Sequence, residues 1–288
     1  ALSRLSGVAL ATGDPGLAAR YAERAAAMSG GVLPPADRLV HARALLQLGR
    51  TADALAYAEK ISANAGDDAL VRADALLVAG RAYRSAGDRN RAYTAWLEAL
   101  AAATAAGLAG ERSEALRRLG MVDYLAGRLA EASDRFTEAY QIAYADGDRR
   151  SQAWSLQDLA WVTTTRGDFA GANEALSRAA RTFAELGDPV GRAWLRGTTA
   201  FVRLLSGRLA QTRRLARVFL PFGERSGEAW AVGTLRAVAA FASAELGELA
   251  EADGEARHAY RDFAAAGDDW GRGLSLVVRG VVARGLGE

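Results

Sequence analysis

The chain has 288 residues, half of them apolar, with 36 basic and 34 acidic side chains and a net charge of +2. There is no Cys, which excludes disulfides and thiolate metal sites. No run of eighteen apolar residues occurs, so no membrane-spanning helix is expected, and the balanced charge gives no reason to expect direct nucleic-acid binding.

Taken in order, the first thirty residues read as a short helix pair about a turn at Thr12-Gly13-Asp14-Pro15, with Asp14 capping the second helix and Pro15 in its first turn. The junction Gly30-Gly31-Val32-Leu33-Pro34-Pro35 is the least regular, since two prolines and two glycines break helix. From Gly66 onward the units become uniform. Turn glycines stand at Gly13, Gly49, Gly87, Gly127, Gly167, Gly207, Gly247 and Gly287, spaced 36, 38 and then five times 40. A second series, Gly66, Gly107, Gly147, Gly187, Gly227 and Gly267, closes each unit. A fixed period of this length marks a solenoid, in which each unit touches only its neighbours. The expected helices in the central unit run over Asp148–Arg166 and Asp168–Leu186.

The expected architecture is therefore all-α: a right-handed solenoid of antiparallel helix pairs forming a single body over 1–288. Its units fall at about 1–29, 30–65, 66–106, 107–146, 147–186, 187–226 and 227–266, followed by a lone helix over 267–288. Each first helix carries a small residue seven positions before its turn glycine (Gly80, Gly120, Ala160, Ala200, Ala240, Gly280), which predicts close approach of helix backbones. Each second helix carries Ala five positions after the turn (Ala18, Ala54, Ala92, Ala132, Ala172, Ala252), often followed four later by a large residue such as Trp96, Phe136 or Leu176. The sixth unit deviates, with Thr212 in place of that Ala and Pro221 predicted to end or kink its second helix. The last helix is apolar on more than one face through Leu274, Leu276, Val277, Val278, Val281 and Val282. That suits a fragment of a larger protein, or pairing with a second copy.

Leu76, Ala79-Gly80, Tyr83 and Ala92 to Trp96 resemble the tetratricopeptide repeat, as do Leu116, Leu119-Gly120 and Ala132 to Phe136, and Leu156, Leu159-Ala160 and Ala172 to Leu176. The pattern covers the whole chain but has a period of forty instead of thirty-four and a Gly-Asp junction in place of the closing Pro. In these respects it is similar to the repeats of spindle-orientation adaptor proteins and of large ATP-dependent LuxR-type bacterial regulators. The resemblance implies a TPR superhelix whose first helices line a concave groove and whose function is binding.

No catalytic apparatus is legible. The one Lys, Lys60, follows Glu59, so there is no phosphate-binding Gly-Lys-[Ser/Thr], and the two histidines, His41 and His258, lie far apart in the repeat. The glycine-following acids Asp88, Asp148, Asp168, Asp188 and Asp268 read as N-caps. Arg213, Arg214 and Arg217 read as a solvated helix face. No enzyme activity, cofactor or metal is expected, and with no signal peptide visible the expected location is cytoplasmic.

The candidate binding residues form an aromatic column with a cationic end. Six positions before successive turn glycines stand Met121, Trp161, Phe201, Phe241 and Val281. Seven or eleven positions earlier on the same helices stand Trp154, Trp194, Trp230 and Trp270, two or three helical turns away and thus on one face. The N-terminal units hold Arg43 and Arg81 instead, with Arg84 and Arg117 nearby. The column reads either as a ligand groove or as core between repeats. As a groove it would take an amphipathic helix or extended peptide, with apolar anchors on Trp154, Trp161, Trp194, Phe201 and Phe241 and acidic groups toward Arg81 and Arg117. The alternative is an effector-sensing segment of a bacterial multidomain regulator, binding a small molecule by stacking.

Overall fold

Left-handed glycines punctuate the helices. Gly87 has φ +84°, its amide donates to the Arg84 carbonyl, and the amide of Asp88 donates to the Tyr83 carbonyl at 2.9 Å. The 6→1 bond of Asp88 closes the helix end, and a side chain at Gly87 would strain the turn. The aspartate after such a glycine then starts the next helix. The Arg91 amide donates to Asp88 at 3.0 Å, the Ser151 amide to Asp148 at 3.1 Å, and the Gly171, Gly191 and Gly271 amides to Asp168, Asp188 and Asp268 at 2.8, 2.9 and 2.7 Å. The expected caps are therefore in place, each satisfying an amide that the helix itself leaves unbonded.

In the computed structural model, residues 1–31, 33–226 and 229–287 are described. Gly227 of the second glycine series and Val32 of the irregular junction lie outside them. Among the described residues there is no strand, and the fold is an α-solenoid of helix pairs. The helices are α1 (Leu2–Ala11), α2 (Pro15–Met28), α3 (Pro35–Gln47), α4 (Thr51–Ala63), α5 (Ala69–Ser85), α6 (Arg89–Ala105), α7 (Ala109–Leu125), α8 (Leu129–Ala145), α9 (Arg149–Thr165), α10 (Phe169–Glu185), α11 (Pro189–Leu205), α12 (Leu209–Ser226), α13 (Ala229–Glu245), α14 (Leu249–Ala265) and α15 (Asp269–Leu286). Expected helix limits hold to one residue in the central pair, the capping aspartates standing just outside. The chain divides into two compact units, Ala1–Val162 and Thr163–Glu288, with the division inside α9.

In unit 1 the core runs from each pair into the next. Leu39, Leu45, Ala54, Ala58, Ile61, Ala75 and Val78 join α3, α4 and α5. Trp96, Ala92, Ala99, Ala115 and Leu119 join α6 to α7. At Gly80 and Gly120 the recurring small residue has a different role from the one the sequence suggested. It makes room for a ring, not for a backbone: a Cβ on Gly80 would overlap the Trp96 indole, and one on Gly120 would come 2.7 Å from Cε1 of Phe136. Both rings are fully buried.

Unit 2 places its rings elsewhere. Phe183 and Phe263, near the ends of α10 and α14, are fully buried, and Cβ atoms on Gly191 and Gly271 at the starts of α11 and α15 would overlap them. Thr212 is buried and donates to the carbonyl of Arg208, the residue just before α12, at 3.1 Å, so its hydroxyl is satisfied locally. Pro221 does not end that helix: α12 continues to Ser226. The proline removes one amide and crowds one carbonyl, and with only five residues left the helix tolerates the loss.

Candidate functional site

The first helices of unit 1 present arginines in a setting of carboxylates. Arg43 on α3 bonds Asp74 on α5. Arg118 on α7 bonds Glu114 of the same helix at 2.9 Å, and Arg117 Nε donates to Asp158 on α9 at 2.6 Å. The Arg117–Asp158 pair is nearly sealed, with side chains 10% and 8% exposed. Burial lowers the Arg117 pKa, Asp158 opposing, and burial raises that of Asp158, Arg117 opposing. The pair is thus locked together, since removing either partner would strand a buried charge.

Arg81 on α5 stands apart. Among the described residues no carboxylate lies within ion-pair distance of it. Burial, then the neighbouring Arg118, Arg84 and Arg43, hold its pKa down to about 10, with Glu114 opposing. At Glu114 the balance is reversed: burial works against the charge, but Arg118, Arg43 and Arg81 outweigh it and pull the carboxyl down to about 2.

Beside these arginines lie the first members of the aromatic column. Trp154 on α9 is half-buried, with the guanidinium of Arg117 5.2 Å and that of Arg150 6.0 Å from its ring. Trp161 is only 4% exposed and sits at 6.1 Å from the Tyr124 ring. Met121 is partly buried against Ala132, Phe136 and Val162. In unit 2, Trp194 on α11 and Trp230 on α13 are half-buried and stack face to face, with centroids 4.0 Å apart and planes 8° from parallel. Phe201 is 8% exposed and meets Trp270 edge-on at 5.8 Å, while Phe241 is partly buried against Ala240, Ala256 and Val278.

The column therefore splits by burial. Trp161 and Phe201 are packing side chains in this state, whereas Trp154, Trp194, Trp230, Phe241, Met121, Arg81 and Arg117 keep partial exposure. Sequence reasoning missed Asp158, Asp74 and Glu114. A signal was present for the first, because Asp158 follows Arg117 by 41 residues, about one repeat, so that successive first helices bring them level. Arg213 is paired with Glu248, the residue just before α14, and Arg217 with Glu251 in its first turn. Among the described residues no group of three His, Cys, Asp or Glu could hold a metal, and no helix is long and apolar enough to cross a membrane.

These features define a TPR-like solenoid. A tetratricopeptide repeat family model matches residues 111–185. The fold is similar to that of the Rap conjugation gene regulator of the plasmid pLS20, solved in complex with the Phr* peptide (16% identity, TM-score 0.75, covering 92% of this chain and 73% of that one). It is similar to a Rap protein complexed with competence and sporulation factor (15%, TM-score 0.63, 97% and 74%). It is also similar to a signal transduction ATPase with numerous domains, with a tetratricopeptide repeat sensor, from Pyrococcus horikoshii (11%, TM-score 0.59, 92% and 44%). At these identities the likeness is one of fold. No curated protein matches the chain.

Proposed function

We propose that the chain is a non-catalytic cytoplasmic docking scaffold that binds a peptide or protein segment on the exposed face of its first helices. The observation that carries this reading is the half-buried surface of unit 1, where Arg81 on α5 offers a charged contact and the Trp154 indole on α9, flanked by Arg117 and Arg150, an apolar one. An amphipathic helix or extended peptide lays an apolar side chain against Trp154 and Met121 and turns an acidic group toward Arg81. Arg117, already bonded to Asp158, shapes the cationic end without receiving the acid itself. Trp194, Trp230 and Phe241 give unit 2 its own aromatic contacts, while Trp161 and Phe201 support the surface from beneath. On α15 the exposed Leu276 and Val277 form an apolar strip that suits a second copy of the chain.

A second reading, effector sensing by a segment of a larger regulator, is favoured by the parallel, half-buried Trp194–Trp230 stack, an aromatic surface of the kind that binds planar small molecules. One experiment separates the two. Acidic amphipathic peptides are screened against the whole chain and against Trp154→Ala and Trp230→Ala, with melting temperatures checked first. Loss of about 2 kcal/mol of peptide binding in the Trp154 variant at unchanged stability supports peptide docking. Peptide binding untouched by Trp154→Ala removes it. Planar metabolites bound by wild type and lost only in the Trp230 variant favour the sensor.

A further inference from the structure

Three guanidiniums, Arg43 on α3, Arg81 on α5 and Arg118 on α7, come from three successive first helices of unit 1. Two are committed, Arg43 to Asp74 and Arg118 to Glu114. Three positive charges therefore face two negative ones, leaving one in surplus. The groups around them do not change this count. Arg117 and Asp158 neutralise each other at 2.6 Å. Arg84 and Glu111, both within electrostatic reach of the cluster, add one charge of each sign. The surplus falls on Arg81, the member without a carboxylate at ion-pair distance among the described residues, and the residue as a whole is only partly buried.

We propose that Arg81 is an oxyanion-binding group and that Glu114 sets its specificity, restricting it to a singly charged oxyanion of the carboxylate class. The proposal rests on the docking reading above, since it names the chemistry of the acidic group that a bound segment would bring. A guanidinium presents two parallel N–H donors that match the two oxygens of a carboxylate. Glu114 holds its charge throughout the neutral range under the pull of Arg118, Arg43 and Arg81. The surplus is thereby fixed at one. A carboxylate closes the site to neutrality, whereas a phosphoryl dianion would leave a net negative charge beside Asp74 and Glu114, where partial desolvation strengthens repulsion. Glu114 thus positions the neighbouring guanidiniums and discriminates by charge, without touching the ligand.

The test reads the anion, not the peptide. The whole chain is labelled with 15N-arginine, and the Nε–Hε resonance that disappears in Arg81→Gln is followed during separate titrations with acetate and inorganic phosphate. Ionic strength is held constant, at about pH 8, where phosphate carries close to two charges. A saturable shift at Arg81 with acetate, weaker with phosphate, is the expected result. Glu114→Gln is expected to tighten phosphate by roughly tenfold and reverse the order, the effect of removing one unit charge at short range. Asp74→Asn raises the surplus by a second route and stands in if Glu114→Gln does not fold. An Arg81 resonance that responds no more than exposed arginines overturns the site. An unchanged anion order in a folded charge-removing variant overturns the role of Glu114. Peptide binding with an unresponsive Arg81 sinks this inference alone, and an acetate response without any peptide binding sinks the docking reading alone.

Discussion

The two units solve one packing problem in two ways. Both must seat a large aromatic ring between helices that otherwise meet through alanine. Unit 1 puts the ring in the middle of a second helix and opens a glycine in the first helix of the same pair: Trp96 on Gly80, Phe136 on Gly120. Unit 2 puts it at the end of a second helix and opens a glycine at the start of the next first helix: Phe183 on Gly191, Phe263 on Gly271. At the mid-helix place unit 2 has Ala240 with Ala256. At the helix-end place unit 1 has Ala103 and Ala143. Ring and glycine travel together, so the large volume is conserved while its position moves. The difference shows that a solenoid can lock within its pairs or between them, with no change in period.

The largest effect expected from breaking this comparison is the loss of a ring. Trp96→Ala and Phe263→Ala should each cost about 3–5 kcal/mol in urea unfolding, because each leaves a cavity facing a glycine that cannot refill it. Next come the glycines themselves. Gly80→Ala forces a methyl into the Trp96 indole and should cost about 1–3 kcal/mol, partly regained when Trp96 is shortened to Leu. Gly280, the same repeat position on α15, has nothing within 4 Å of a notional Cβ. There Gly280→Ala should instead stabilise by about 0.5–1 kcal/mol through helix propensity. Equal effects at the two glycines in thermal melts would show that propensity, not the ring, governs the position.

The smallest expected effect distinguishes the histidines. His41 in unit 1 is buried against Tyr57, while His258 in unit 2 is exposed. Burial lowers the His41 pKa below its ordinary 6.5, with Glu23 opposing and Arg50 adding. The unfolded chain therefore takes up the proton first. The stability held by neutral His41 is complete above that ordinary value and declines as pH falls below it. Urea midpoints compared at about pH 7.5 and about pH 5 should fall for wild type and fall less for His41→Gln. An identical decline in both would clear His41 of any part in it.

The helix ends were the most legible part of the sequence, because a left-handed glycine followed by a capping aspartate is a local device that needs no distant partner. The buried alanines five residues beyond each turn were equally plain. The aromatic column was less so. Trp161, Phe201 and Phe241 occupy one position of the repeat, yet the first two are buried and the third keeps partial exposure, since burial depends on what each neighbouring helix supplies. Phe183 and Phe263 were overlooked because the place they fill holds alanine elsewhere. Arg117 was legible as a cation, but its bond to Asp158 was not, since it needs the separation of successive first helices in space. Pro221 does not end α12, because the proline falls close to the helix end, where few backbone bonds are lost.

The recurrent glycine hinge also has a mechanical meaning. The turn inside a helix pair bonds only to the two helices it joins, closing the first and capping the second, as at Gly87 and Asp88. A pair that peels away gives up its side-chain bonds to the next, such as Arg43 to Asp74, while the local turn bonds of the pair that remains stay intact. Under tension from its termini, such a chain would lengthen in steps, each releasing forty residues from Gly87 onward, or roughly 130–145 Å of extended backbone, and slightly fewer before it. The spacing of glycines along the sequence is thus also a ruler for the protein's extension under load.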